Sequence, residues 1–237
     1  MMRTIYFYLS FALFMLYSFF LKLRLDYIIK TKSPEEGEEY LNRCLLKWAH
    51  FCINRAGISI VTKGKENLPK GNCLFVANHQ GYFDIPGIIC ATGRPMGFIA
   101  KKEILQYKFI SYWMEKIHCV FMDRNNIRES MKSINQGVEI LKQGYNVAIF
   151  PEGTRSKGPM LSEFKKGSMK LAVKSGVPVV PVAISGTYKA REGNNFGAIK
   201  PAEVVITICK PLDISQLSRE EQSDLSEIIR DIIEKNL

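Results

Sequence analysis

The spacing of apolar residues changes near residue 58, and this change divides the chain into two parts. Before it, apolar residues are either continuous or repeat every three to four positions, which is typical of helices. After it, short runs rich in β-branched residues alternate with stretches of helical spacing. We therefore predict a helical motif over residues 1–57 and a second domain over residues 58–237.

The second domain has the pattern of an α/β fold. Several of its strand candidates are nearly continuous apolar runs, as expected for strands buried on both faces. The predicted strands are Ile58–Thr62, Cys73–Ala77, Gly97–Ala100, Cys119–Met122, Val147–Phe150, Val179–Ile184 and Val204–Cys209. The predicted helices are Asp84–Thr92, Lys102–Lys116, Ile127–Gln143, Phe164–Ser175 and a last helix that begins at Ser218. This alternation predicts a largely parallel central sheet flanked by helices.

The N-terminal segment is apolar enough to enter a membrane. Thr4–Leu21 contains eighteen uncharged residues. As a helix it would be about 27 Å long, close to the ~30 Å of a bilayer's hydrocarbon core. A cleaved signal peptide fits poorly, because no small-residue cleavage site follows and Leu23 and Leu25 continue the apolar pattern. The segment predicts membrane attachment, either as a transmembrane span or as a helix in one leaflet.

A second helix follows the apolar segment. Ser33 can cap its N-terminus, Pro34 suits the first helical position, and Glu36 completes a capping box. Apolar residues then keep a helical stripe as far as Ala56. Residues 1–57 are therefore predicted to form a two-helix membrane anchor.

Charge and cysteine usage narrow the function classes. The formal net charge of +10 over 237 residues suggests an anionic partner, namely nucleic acid, an anionic membrane or a phosphorylated substrate. The basic residues are spread along the chain and no nucleic-acid-binding motif is present, which makes nucleic acid a less favoured partner.

The six cysteines form no CxxC and no metal-ligand spacing with the three histidines, so we expect buried thiols in a reducing compartment and no metal site.

A histidine and an aspartate follow one of the buried strands. His79 comes directly after the strand Cys73–Ala77, and Asp84 lies five residues further on, where a helix should begin. Across a tight strand-to-helix turn, Asp84 can fold back and hold the His79 imidazole in one tautomer. On this spacing alone the alternative stays open that Asp84 is a helix cap and His79 a turn residue.

A second polar segment, Phe150–Ser156, also leaves a buried strand. Gly153 permits close backbone approach, Thr154 offers a hydroxyl, and Arg155 has the planar guanidinium that suits phosphate. Glu152 could hold Arg155 in place or accept a substrate hydroxyl. The alternative is an ordinary polar turn.

Further cations follow two other predicted strands: Lys101 and Lys102 after one, and Arg124 after the other. Because parallel strands bring their carboxyl ends to one edge of a sheet, these cations should lie near the His79 and Arg155 segments. The convergence predicts a site for a phosphorylated substrate.

Four blocks in this order resemble the bacterial 1-acylglycerol-3-phosphate acyltransferases of the glycerolipid acyltransferase superfamily. The blocks are Asn78–Asp84 (Asn-His-x4-Asp), Val120–Arg124 (an apolar strand closed by Asp-Arg), Phe150–Ser156 (Phe-Pro-Glu-Gly-Thr-Arg-Ser) and Val177–Val182 (an apolar Pro-containing strand). The second block of the family usually begins with Gly at about the position of His118. A histidine at this position could change how that strand packs or how the acceptor substrate is recognised. His79 remains the candidate base.

The resemblance implies transfer of a fatty acyl group from an acyl thioester to the 2-hydroxyl of 1-acylglycerol 3-phosphate, giving phosphatidic acid. His79 would be the general base and Asp84 its orienting partner. The residues implied for binding the acceptor phosphate or shaping its pocket are Lys101, Arg124, Glu152, Gly153, Thr154 and Arg155. No cofactor is implied beyond the co-substrate, an acyl-CoA or an acyl carrier protein thioester.

The expected partners are membrane phospholipids, lysophosphatidic acid and the acyl carrier. The expected location is the cell membrane, with the catalytic domain on the cytoplasmic side. Three alternatives stay open: an acyltransferase for another lysolipid, a thioester or lysolipid hydrolase that uses the same pair, and a non-catalytic lipid-binding membrane protein.

Overall fold

The computed structural model describes residues 2–237, and within them seven strands form one mixed sheet. The strands are Ile58–Lys63 (β1), Leu74–Ala77 (β2), Gly97–Lys101 (β3), Val120–Met122 (β4), Val147–Ile149 (β5), Val179–Ser185 (β6) and Ala202–Ile208 (β7). The helices are Met2–Thr31 (α1), Pro34–Ala56 (α2), Asp84–Thr92 (α3), Lys108–Lys116 (α4), Ile127–Lys142 (α5), Lys170–Ser175 (α6), Arg219–Ser223 (α7) and Leu225–Glu234 (α8). The predicted α/β class is confirmed.

The strand order is β1-β7-β6-β2-β5-β3-β4. All neighbouring strands pair in parallel except β6 and β7, which are antiparallel. The five strands from β6 to β4 therefore run in one direction and end at one edge, while β7 and β1 run in the opposite direction.

The sheet is buried on both faces, because successive side chains of a strand point to opposite sides. In β2, Phe75 and Ala77 pack in a core with α2 and α3. Leu74 and Val76 pack in a second core with α5, α6 and α8. This double covering explains why the central strands are continuous apolar runs.

Helix α1 is longer than the uncharged segment that predicted it. It continues ten residues beyond Leu21 to Thr31. Two features stabilise this extension: the Lys22–Asp26 ion pair of 2.6 Å, one helical turn apart, and Leu25, which is fully buried against α2. Helix α2 begins and ends as predicted, and the Ser33 side chain accepts the N–H of Glu36 at its N-terminus. The predicted capping box is only half formed within residues 2–237, because the Glu36 carboxylate does not accept the N–H of Ser33 in return.

Three helices predicted as continuous are interrupted. The segment Lys102–Lys116 is a 3-10 turn followed by α4, with a non-helical residue, Tyr107, between them. The first turn of Phe164–Ser175 is likewise irregular, and the last helix breaks near Asp224. A kink of one residue leaves the apolar spacing almost unchanged, so the pattern does not reveal it.

Candidate active site

Polar and charged side chains gather where the five parallel strands end. His79 follows β2, Arg155 follows β5 and Thr187 follows β6, while Lys101 ends β3 and Arg124 follows β4. Because β6, β2, β5, β3 and β4 are consecutive in the sheet, these residues share one edge. This is the edge at which open α/β sheets bind ligands.

His79 and Asp84 form a close pair at the centre of this edge. The distance from His79 Nδ1 to Asp84 Oδ2 is 2.6 Å. Asp84 is fully buried, and its carboxylate also accepts the N–H of Gly81 at 2.8 Å and the hydroxyl of Thr187. A carboxylate with these donors is an acceptor, so His79 Nδ1 carries the proton in this contact. The other nitrogen, Nε2, keeps its lone pair for a substrate.

The His79 ring is held from a second side by Phe150. The two rings stack with centroids 4.2 Å apart and planes inclined by 18°. The His79 side chain remains 17% exposed, so a substrate can reach it. The pair is therefore fixed in orientation and open on one side, as a general base requires.

The loop that carries His79 is joined to β6 by two amide side chains. Asn78 donates to and accepts from the backbone of Ile184, at 2.9 and 2.8 Å. Gln80 Oε1 accepts the N–H of Gly186 at 2.8 Å. These contacts bring Thr187 to Asp84. Thr187 and Gln80 were not predicted, because their partners lie more than 100 residues away in the sequence and the only local signal is a polar residue after a buried strand.

The Glu152 carboxylate faces inward and holds the His79 backbone. Its Oε1 accepts the N–H of His79 at 2.5 Å, and its Oε2 accepts the N–H of Ser162 at 3.1 Å. With both oxygens engaged and the residue only 4% exposed, Glu152 does not pair with Arg155. The suggestion that it holds Arg155 in place is corrected: the carboxylate beside Arg155 is that of Glu192, 3.5 Å away.

Arg155 lies over an aromatic ring at the open side of the site. Its guanidinium carbon is 3.7 Å from the centroid of the Tyr82 ring. Arg191, which was not predicted as a site residue, lies 4.4 Å from the same centroid. The pKa of the Tyr82 phenol is below its ordinary value, first because Arg155 donates a hydrogen bond to it and then because both guanidiniums are positively charged.

Arg124 contacts the turn that precedes Arg155. Its guanidinium donates to the backbone carbonyl of Gly153. Gly153 has a φ of 72°, the left-handed region that suits glycine. Burial lowers the pKa of Arg124, although the group stays charged at neutral pH. Lys101 and Thr154 are exposed at the same edge, and their roles in binding stay predictions.

His118 lies at the opposite edge of the sheet, because it precedes β4 rather than following it. Its φ is 62°, and its ring stacks on Tyr145 with centroids 3.7 Å apart. A left-handed backbone explains why glycine suits this position. The position of His118 separates it from the His79 site.

An apolar cavity of about 370 Å³ opens beside the site. It lies between α1, α2 and the start of α3, with Tyr82 and Arg191 among its lining residues. The other lining residues are Phe7, Tyr8, Phe11, Trp48, Cys52, Phe83 and Pro86. The N-terminal helix thus forms part of the wall of a space next to the candidate site.

Comparison with known proteins identifies the family. The family model described as Acyltransferase matches residues 59–185. The 1-acyl-sn-glycerol-3-phosphate acyltransferase of Borreliella burgdorferi is 33% identical over 189 residues, which cover 77% of this chain and 73% of that protein. The probable 1-acyl-sn-glycerol-3-phosphate acyltransferase of Mycoplasma genitalium is 32% identical over 211 residues, 84% of this chain and 77% of that protein.

A solved structure supports the same assignment. The crystal structure of the 1-acyl-sn-glycerophosphate acyltransferase PlsC from Thermotoga maritima matches with a TM-score of 0.85 and 29% identity, covering 99% of this chain and 93% of that one. The matched residues 59–185 contain the His79–Asp84 pair and the Arg155 turn. The chain therefore belongs to the acyltransferase family, as its four sequence blocks predict.

Proposed function

We propose that this protein transfers a fatty acyl group from an acyl thioester to the 2-hydroxyl of 1-acylglycerol 3-phosphate, giving phosphatidic acid. The observation that carries the proposal is the 2.6 Å contact between His79 and Asp84 at a sheet edge that also holds Arg124 and Arg155. The names of the Borreliella and Thermotoga relatives support the same acceptor.

In this mechanism His79 Nε2 takes the proton from the acceptor hydroxyl as the oxygen attacks the thioester carbonyl. Asp84 stabilises the imidazolium that forms, because its carboxylate already accepts the Nδ1 proton. When the tetrahedral intermediate collapses, the C–S bond breaks and the thiolate leaves with the proton from His79. The new ester is formed without a covalent acyl-enzyme.

The cations beside this pair would hold the acceptor phosphate. Arg155 is the first candidate, because its guanidinium is partly exposed and lies on Tyr82, which belongs to the same loop as His79. Lys101 and Arg124 add positive charge along the same edge. In the proposed substrate the reacting hydroxyl and the phosphate are on neighbouring carbons, so the base and the phosphate site must be close.

Helix α1 would hold the enzyme at the cell membrane, with the catalytic domain on the cytoplasmic side. It is long and apolar enough to cross a membrane, with a mean hydropathy of 1.7 over eighteen residues, 11% of which are buried. Its outward apolar side chains would be stable in a bilayer, and the net charge of +10 suits anionic lipids. The donor would be an acyl-CoA or an acyl carrier protein thioester.

The test is acyl transfer by wild type and His79→Ala in mixed micelles, with both thioester donors and a panel of lysolipids. We expect transfer to 1-acylglycerol 3-phosphate by the wild type, and a loss of about 10²- to 10⁴-fold in His79→Ala. His50→Ala, which removes an exposed histidine of α2, is the matched control and should stay active. Near wild-type turnover by His79→Ala would rule out the base. Acyl release without any lysolipid would indicate a hydrolase.

A further inference from the structure

Arg191 contacts the same aromatic ring, Tyr82, and the same carboxylate, Glu192, as Arg155 does. Arg155 and Arg191 both lie over Tyr82, and both place a guanidinium nitrogen within 4.0 Å of Glu192 Oε1. Arg155 follows β5 and Arg191 follows β6, so the fold brings them together from either side of the His79 loop.

Glu192 fixes the positions of these two arginines. Its side chain is only 4% exposed, and Oε1 accepts the N–H of Tyr82 at 2.8 Å. Its Oε2 is buried without a hydrogen-bond partner among residues 2–237. A buried carboxylate needs compensating positive charge, and the two guanidiniums supply it.

The arginines still have capacity for a further anion. At 3.5 and 4.0 Å their contacts with Glu192 are ion pairs rather than close hydrogen bonds. The side chains of Arg155 and Arg191 are 29% and 31% exposed. Two positive charges face one negative charge, which leaves the cluster with a net positive charge and free N–H donors in two planar groups, the arrangement that suits a phosphate.

The cluster is also next to the catalytic pair. Gly81 separates them: its N–H binds Asp84, and a Cβ added to it would lie 2.5 Å from Glu192 Oε2. Only glycine allows the carboxylate to pack this closely against the His79 loop. The two arginines that lie over Tyr82 are therefore next to the loop that carries His79.

We infer that Arg191 is a second ligand for the acceptor phosphate, and that Glu192 is a positioning residue that keeps Arg191 and Arg155 beside His79. The inference rests on the proposed function for the identity of the acceptor. The ligand chemistry is that of a phosphate monoester, whose charge two guanidiniums can share.

Kinetic analysis of Arg191→Gln tests the assignment. Since a hydrogen bond to a charged group accounts for about a 10- to 100-fold change in affinity, the KM for 1-acylglycerol 3-phosphate should rise by that factor. The KM for the thioester should stay within about twofold. Arg191→Lys keeps the charge but loses the planar stack, so it should recover only part of the loss. Lys189→Gln, an exposed neighbour with the same change of charge, should behave as wild type. An unchanged acceptor KM in Arg191→Gln, or an equal rise for both substrates, would overturn the inference.

A measurement on the wild-type protein covers the case in which both variants fail to fold. Phenylglyoxal modifies accessible arginines, and peptide mass spectrometry gives the rate at each one. sn-Glycerol 3-phosphate should slow modification of Arg191 several-fold and leave Arg230 on α8 unchanged, although Arg230 is equally exposed at 30%. Equal rates at Arg191 with and without the ligand would contradict the assignment. Protection of Arg191 in a protein that transfers no acyl group would support this site and reject the proposed function.

Discussion

Asp84 is a buried charge whose oxygens are all engaged. Burying a carboxylate costs free energy unless hydrogen bonds replace its lost water. Here His79, Gly81 and Thr187 donate these bonds. The same three bonds fix the direction of the His79 ring, so the groups that stabilise Asp84 also prepare the base for the proposed reaction.

We therefore predict that Thr187 contributes to catalysis through its hydrogen bond to Asp84. Thr187→Val keeps the volume but removes a donor to Asp84, so the carboxylate can rotate and His79 loses its fixed orientation. We expect kcat to fall about 10-fold, the effect of one lost hydrogen bond of about 1.5 kcal/mol, with KM values for both substrates nearly unchanged. Steady-state kinetics in micelles measure both quantities.

Thr187→Ser is the control for that experiment, because it restores the hydroxyl while removing a methyl group. Equal losses in the Val and Ser variants would mean that packing around Thr187 matters rather than its hydrogen bond. Circular dichroism of both proteins shows whether each is folded.

His118 gives a pH dependence of stability that is separate from catalysis. Burial lowers its pKa from the ordinary 6.5, although the charge of Glu38 partly opposes this. The unfolded chain therefore binds the proton first as the pH falls. The stabilisation that neutral His118 contributes to the folded state is complete above about pH 6.5. It is lost as the pH falls from there toward the pKa of His118 in the folded state.

His118→Asn should reduce this pH dependence. Asparagine tolerates the left-handed backbone at this position and does not titrate. The free energy of unfolding, measured with urea at pH 5.5 and 7.5, should change less in the variant than in the wild type. Activity should be retained, because His118 lies at the edge opposite His79. An identical difference between the two pH values in both proteins would contradict the role of His118.

Among the elements, α1 has two faces with different surroundings. One face packs against α2 and the catalytic domain, where Leu25 and Phe7 are buried. The other face exposes large apolar side chains at intervals of three to four residues. They include Leu9, Leu13, Leu16 and Phe20. An outward stripe of this kind is stable in contact with lipid and unfavourable in water.

A charge on the outward stripe should weaken membrane association without unfolding the protein. For Leu13→Lys we expect at least a 10-fold lower partition into liposomes, since burying a leucine side chain stabilises by about 1.5–3 kcal/mol. Flotation with vesicles measures the partition. Val61→Lys is the control, because Val61 is an exposed apolar residue of β1 outside the stripe. Equal behaviour of the two variants would argue against membrane contact through this face.

For the whole molecule, apolar spacing predicted all seven strands, since each contains a short, largely apolar run. The order of the strands was not predictable in the same way. The antiparallel β7 pairs with β6, the strand before it in the sequence, and also with β1, whose Ile58 lies opposite Ala202. Pairing over such distances depends on packing of the complete chain rather than on any local pattern.

The candidate active site, too, could be predicted only where its contacts are local in the sequence. The His79–Asp84 contact was predictable because both residues lie in one short turn. Thr187 and Glu192 reach that turn from the end of another strand, and nothing near them in the sequence marks the contact. Glu152 was predicted to be important, but its partner could not be read from its neighbour Arg155, because the strand end turns the two side chains in different directions.

Helix α1 also contributes to the interior of the enzyme. Tyr8 accepts a hydrogen bond of 3.2 Å from Arg191 Nε, and the Phe7 ring meets Phe83, the residue before Asp84, with centroids 5.7 Å apart. Deleting residues before α2 would be the usual way to obtain a water-soluble enzyme for crystallisation or biocatalysis. In this protein the deletion would also open the wall of the apolar cavity and release Arg191. Solubility is better sought with detergents or lipid nanodiscs, which keep the helix in place.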